Sequence, residues 1–337
     1  MTRAFRTCLV LAAVLALALG GTALWAQQAG SGDFAFVPRA AQPALGAVEL
    51  QGEQDPPRGA GRVFFTTVGV RHATVWETWF GVGDGGQLVP EHAVQPQGET
   101  DRQRTELDTM AMSSSQDAAE VVGLRALGYR VTVTPAGVQI LGMEPDAPIV
   151  HSGAALGDLI LSADGAPVRS IDALRSRLRA IGAGRPFPLG LHRDGKLRSV
   201  STKAITAPDG SVILGILPGQ AHRIDAPRTV TFHVEGVGGP SAGLAFALQI
   251  YSAGKAYANL RGNRVAATGT LTMTGTVGAI GGVGEKAIGA RRAGADVFLV
   301  PADNAAEARA ARVPDLRIVP VGNFADALRA VAALPAR

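Results

Sequence analysis

The stretch Val237-Gly238-Gly239-Pro240-Ser241-Ala242-Gly243-Leu244 decides how this chain is read. Apolar residues at 229–234 lead into it, and residues 244–252 leave it as an almost unbroken apolar run of helical length. A strand that turns through glycines into a helix puts Ser241 in or near the first helical turn. Unpaired backbone N–H groups and the positive end of the helix dipole there face whatever the serine attacks. The glycines allow close approach of backbone and substrate, and Pro240 stiffens the entry. Such a turn stabilises negative charge on a carbonyl oxygen, which is what acyl transfer requires. The same pattern also describes an ordinary helix start capped by a serine.

Working outward, a second glycine-rich turn, Gly278-Ala279-Ile280-Gly281-Gly282-Val283-Gly284-Glu285-Lys286, runs into a helix predicted over 285–293, with Gly294 as its cap. Lys286 falls in the first turn of that helix, where the dipole disfavours a cation. Among apolar and glycine neighbours its amine is expected to lose its proton below the usual lysine value of about 10.4. A neutral lysine is a competent general base for a serine hydroxyl. A solvated helix lysine is the alternative.

Three motifs in register, Gly239-Pro240-Ser241-Ala242-Gly243, Ala267-Thr268-Gly269-Thr270 and Gly281-Gly282 with Glu285-Lys286, resemble the proteolytic domain of Lon-type Ser–Lys proteases over residues 210–337. The resemblance implies Ser241 as nucleophile, Lys286 as general base and Thr268 as a hydroxyl that helps orient the lysine. Gly239, Pro240 and Ala242 would position the nucleophile and shape the oxyanion side. The chain departs from the Lon pattern just before the serine, where Val237-Gly238 stands instead of Lys-Asp. With a PDZ-like unit upstream and an apolar N-terminus, the chain is similar to the small membrane-anchored PDZ–Lon-like proteases of bacteria. That resemblance implies a serine endopeptidase acting on peptides or unfolded chains, and a homo-oligomer such as a hexamer.

Length sets the frame: 337 residues suggest about two domains and a short extra piece. The net charge of +4 comes with no basic run or aromatic-basic face, so nucleic acid is not an expected partner. Arg3 and Arg6 precede an apolar stretch over 8–26, the layout of a signal peptide or of an uncleaved anchor exporting the rest; Leu24-Trp25-Ala26 is an imperfect cleavage site. The expected location is outside the cytoplasm, on the membrane or released. The only cysteine, Cys8, lies in that stretch, leaving no thiol or disulfide for the exported part. Residues 27–61, rich in Gly, Ala, Pro and Gln, read as a linker. Residues 62–70 read as a strand, 74–80 as a short element whose Trp76, Trp79 and Phe80 are core, and 98–112 as a surface loop. Ser113-Ser114-Ser115 would cap a helix over 116–127 that Gly128 ends. By resemblance, segment 62–128 packs with the protease domain.

Residues 129–205 alternate strands with one helix capped by Ser170. Ala136-Gly137-Val138-Gln139-Ile140, Pro145-Asp146-Ala147-Pro148, Gly157-Asp158 and Asp164-Gly165 resemble a PDZ domain of the kind found with bacterial proteases. The resemblance implies binding of an extended peptide at a free edge, residues 137–141 with Gly137, Val138 and Ile140, against the helix over 171–181. After Ser241, strands over 265–271, 276–280, 296–300 and 316–321 alternate with helices. Asn304 with Glu307 reads as a capping box, and Asn323 as the cap of a last helix. The expected fold is therefore α+β or α/β, a small PDZ-like β-barrel joined to a Lon-type α/β domain.

Rival readings are weaker. The turn at 278–286 fails as a P-loop, since Glu285 separates Gly284 from Lys286 and no Ser or Thr follows, so ATP-independent proteolysis is expected. No His-Glu-x-x-His pattern supports a metal, and no cofactor is expected; His233 is the one alternative base near Ser241. A non-catalytic exported PDZ scaffold or adaptor with a degenerate Lon-like domain is the reading of a different class.

Overall fold

The computed structural model describes residues 3–53, 55–95 and 100–337, with side chains from residue 11 onward. The N-terminal part runs α1 (Arg3–Gln28), β1 (Gly30–Pro38), β2 (Gln42–Pro43), β3 (Val48–Leu50), β4 (Arg62–Phe65), β5 (Val68–Thr74), α2 (Val75–Phe80), β6 (Gln87–Val89), α3 (Glu91–Val94) and α4 (Asp101–Ala126). The middle follows as β7 (Thr132–Met143), β8 (Leu159–Ala163), β9 (Ala166–Pro167), α5 (Ile171–Ile181), β10 (Pro186–Arg193), β11 (Lys196–Lys203), β12 (Ile205–Thr206), β13 (Val212–Ile213) and β14 (Ile216–Asp225). The C-terminal part is β15 (Val230–Phe232), α6 (Gly243–Ala253), β16 (Arg264–Ala267), β17 (Thr270–Leu271), β18 (Val277–Gly278), α7 (Val283–Arg292), β19 (Val297–Pro301), α8 (Ala305–Ala310), β20 (Arg317–Val321) and α9 (Phe324–Ala332).

The organising sheet has the order β2-β4-β16-β19-β20, with β4, β16, β19 and β20 parallel. Its side chains alternate strictly. Val63, Phe65, Val265, Ala267, Val297 and Leu299 face one core with α4, α6 and α9; Phe64, Ala266, Phe298 and Val300 face another with α7 and α8. A parallel sheet covered by helices on both faces explains why these strands are apolar throughout. Helix α6 is buried nearly all round, with Phe246 packed against Phe65 and Phe232. Helix α4 approaches it closely at Gly123, where a Cβ would stand 2.8 Å from Ile250.

The N-terminal third differs from the sequence reading. Residues 27–61 are not a linker. β1 is the middle strand of the sheet β5-β1-β6, β2 extends the central sheet, and β3 pairs with β15. Phe34, Ala35, Ala44, Val48 and Leu50 are buried; scattered apolar residues suffice here because each strand finds its partner far along the chain. The loop expected over 98–112 is helical from Asp101 (its first two residues lie outside the described residues), and α4 is capped by Thr100 and Gln103, with Ser113–Ser115 in its interior. Its polar face hid the start of the helix, and half of the residues that it buries are small: Ser115, Ala118, Ala119 and Gly123. Trp79 and Phe80, expected in the core, are 54% and 66% exposed.

The PDZ-like unit has its own core, centred on Val138, Ile140, Ile160, Phe187, Leu189 and Leu191. Its sheet runs β11-β10-β8-β7-β14. The edge expected to be free is filled: β14 pairs antiparallel with all of β7, Ala221 opposite Gly137, Gln220 opposite Val138 and Pro218 opposite Ile140. Val138 and Ile140 are fully buried core residues. Gln220 ties the strand down, accepting from Ile171 N–H at 3.1 Å and donating to the carbonyls of Gly137 and Arg169, each at 3.0 Å. Nothing in the local pattern of residues 216–225 announces this pairing, which is long-range.

Candidate active site

The two glycine-rich turns meet at one cleft of about 600 Å³. Ser241 sits in a short 3-10 turn, Pro240–Ala242, that leads directly into α6, with Gly239 at φ +83° before it. The turn is held from three sides. Gly239 N–H donates to the carbonyl of Asp108 at 2.8 Å, and the Ser115 hydroxyl to that of Pro240 at 3.0 Å. The Ser241 carbonyl accepts from Gly269 N–H at 2.8 Å and from the Thr268 hydroxyl at 3.1 Å. Among the described residues the Ser241 hydroxyl forms no hydrogen bond, and the residue opens to the cleft.

This network gives the expected residues distinct duties. The Thr268 proton goes to the Ser241 carbonyl, so Thr268 holds the Ser241 backbone rather than donating to the lysine. Gly239 N–H is engaged by Asp108 and Pro240 has none, so these two residues position the loop, while the N–H groups from Ser241 onward stand at the start of the helix. Close contact makes Gly238 obligatory: a Cβ there would meet the Cβ of Asp108 at 2.7 Å.

Lys286 lines the same cleft from the first turn of α7, whose N-cap Gly282 has φ +66°. The residue is 5% exposed, and burial brings its amine down to about 8, opposed by the charges of Glu285 and Glu307. Among the described residues no carboxylate lies within ion-pair distance of it. Glu285 is buried beside it, with Oε2 unpartnered among the described residues, and desolvation pushes its carboxyl up. Asn304 does not form the expected capping box; its Oδ1 accepts from Ile280 N–H at 2.8 Å, fixing the segment before the Lys286 turn.

The far wall comes from the N-terminal third. Phe36, Arg39, Thr66, Thr67, Arg104, Asp108 and Met112 all line the cleft. The Thr66 and Thr67 hydroxyls are buried without partners among the described residues, an arrangement that favours a bound polar group. None of these residues sits in a recognisable motif; they reach the cleft through strand pairings and helix packing with remote parts of the chain. Burial raises the Asp108 carboxyl, with Arg104 opposing it. His233 lies elsewhere, exposed and 3.6 Å from Glu49.

Residues 229–331 match the Lon protease (S16) C-terminal proteolytic domain, and residues 125–204 match the PDZ domain. The C-terminal part is therefore similar to a Lon-type proteolytic domain and the part before it to a PDZ domain. Among relatives, it is 34% identical over 152 residues to the Lon protease of Azorhizobium caulinodans, covering 44% of this chain and 17% of that one. It is 47% identical over 73 residues to Lon protease 1 of Sorangium cellulosum (20% and 8%). It is 37% identical over 68 residues to the magnetosome formation protease MamE of Paramagnetospirillum magneticum (20% and 9%). The chain spans 17%, 8% and 9% of the length of these three relatives. Of solved structures, the PDZ domain of the SdrC-like protein from Listeria monocytogenes is 22% identical, covering 26% of this chain and 92% of that one, with a TM-score of 0.24.

Proposed function

We propose that the protein is an ATP-independent serine endopeptidase with a Ser241–Lys286 dyad, acting on peptides and unfolded chains outside the cytoplasm. The observation that carries this reading is a buried lysine, its amine brought down to about 8, in the same cleft as an unengaged serine hydroxyl at a helix start. Neutral Lys286 Nζ takes the Ser241 Oγ proton as Oγ attacks the scissile carbonyl carbon. The oxyanion forms against the first-turn N–H groups of α6. As the C–N bond breaks, the ammonium returns the proton to the leaving amine. Water then repeats the sequence on the acyl-enzyme, with Lys286 again as base. A serine-directed phosphonate should label the protein at Ser241; a label elsewhere, or none, sinks the reading.

The pH profile is the direct readout of the base. Only neutral Lys286 is active, so kcat/KM should rise through pH about 8 and level off above it, standing at about a tenth of its plateau at pH 7. A profile with its midpoint near 6.5 would indicate a histidine instead.

The PDZ unit calls for a different reading of recruitment. A peptide reaching Gly137–Ile140 has to displace β14. Gln220→Ala removes the side-chain bonds that tie β14 down, so C-terminal peptides should bind about 10-fold tighter in fluorescence anisotropy, roughly the worth of one net hydrogen bond. Unchanged affinity would assign peptide binding to the outer edge of β14. Helix α1 we read as an uncleaved anchor, and a homo-oligomer as the assembled form, which light scattering tests.

A further inference from the structure

Helix α1 has 26 residues and is therefore about 39 Å long, enough to cross the roughly 30 Å hydrocarbon core of a bilayer. Its described apolar side chains are bare: Leu11, Val14, Leu15, Leu17 and Leu19 are all exposed. Among the described side chains, those at the end of the helix attach it to the body of the protein. Ala26 is fully buried, and the Ala29 carbonyl accepts from Val75 N–H, the first residue of α2, at 2.8 Å.

Helix α2 buries none of its residues. It is nonetheless well formed, with a complete Thr74–Glu77 capping box reinforced by the Arg71–Glu77 pair. Its ring side chains stack on one another, Trp76 on Phe80 at 4.3 Å and Trp79 against Phe80 at 6.5 Å. Trp25, in the last turn of α1, is 59% exposed beside it in the fold. All three tryptophans of the chain thus lie at this junction. Aromatic side chains at the end of an apolar span are what the headgroup layer of a membrane selects, since one end of each ring system is apolar and the other wet.

From this we infer that α2, with Trp25, is a platform that lies in the headgroup layer of a phospholipid bilayer and fixes the catalytic cleft close to the membrane. The inference rests on the reading of α1 as an uncleaved anchor. The occupant is set by continuity: a surface packed against the end of a bilayer span meets that bilayer first. α1 ends at Gln28, β1 starts at Gly30 and its Phe36 lines the cleft, so the cleft is at most about 26 Å of chain from the end of the span. The substrates such a site reaches are chain segments emerging beside the membrane surface.

The test uses the full chain in phosphatidylethanolamine–phosphatidylglycerol vesicles. Intact mass and resistance to carbonate extraction report the anchor. A chain that lacks α1 or is released by carbonate overturns the anchor, and the platform with it. For an anchored chain, Trp25→Phe with Trp76→Phe leaves Trp79 as the sole tryptophan. Its fluorescence should be quenched at least about two-fold more by lipids brominated high on the acyl chain than near its end. Quenching by aqueous iodide without quenching by lipid overturns the platform while the anchor stands. Protection from both places a second copy of the chain there, and also overturns it. Trp79→Glu with Phe80→Glu should lower cleavage of a lipid-tethered peptide about 10-fold while leaving a soluble peptide unaffected; equal rates on the tethered peptide count against the platform.

Discussion

Ser241→Ala should lower peptide hydrolysis by about 10⁴-fold or more, to the residue that binding and oxyanion contacts alone can supply. The fold should not register the change. The Ser241 hydroxyl has no hydrogen bond among the described residues, and the contacts that hold the turn run through its backbone carbonyl, which alanine keeps. The unfolding free energy should therefore move by no more than about 0.5 kcal/mol. Phosphonate labelling should disappear with the activity. Retained turnover would mean that another nucleophile does the chemistry.

Lys286→Met should do something less usual: it should abolish turnover and stabilise the protein at neutral pH. The lysine amine is brought from 10.5 to about 8 by burial, so below pH 8 the folded protein carries a charge that its surroundings disfavour. Between about 8 and 10.5 the unfolded chain binds the proton and the folded one does not, so stability rises with pH across that window. Methionine removes the penalty, roughly 3 kcal/mol at pH 7, and the advantage should shrink towards zero as pH passes from about 8 to 10.5. Denaturant unfolding of both proteins at several pH values measures it. Lys286→Arg should remain inactive, because arginine keeps its proton. A stability advantage of Lys286→Met over the wild type that is no larger at pH 7 than at pH 10 would show that the lysine is not held against its charge.

That Ser241 and Lys286 stand at helix starts was legible in the sequence because both sit in glycine-framed turns, where local chemistry determines local shape, and the fold brings both to one cleft. Strands are likewise legible at 265–271, which divides into β16 and β17, and at 296–300, which is β19. What was lost lies in residues whose meaning depends on remote partners. Phe36 and Thr66 are ordinary residues until β1 and β4 bring them to the cleft. The small residues of α4 look like a polar loop until α6 is set beside them, and Ser115 looks like a cap until Pro240 stands 3.0 Å away. β14 was missed for the same reason: two of its ten residues are Pro218 and Gly219, poor strand formers that pairing with β7 overrides.

The parallel pairing of β4 with β16 has a consequence for how the chain reaches its shape. Residue 64 meets residue 266, so the central sheet closes only after nearly the whole polypeptide is present. The PDZ-like unit, complete between 132 and 225, lies wholly within that loop. High contact order slows folding, and a unit with shorter-range contacts closes first. A chain crossing a membrane from its N-terminus would thus emerge with β4 unpaired and the inserted unit already compact. Refolding followed by stopped-flow should show two phases, the slower one restoring activity; a single phase would mean that sheet and inserted unit form together.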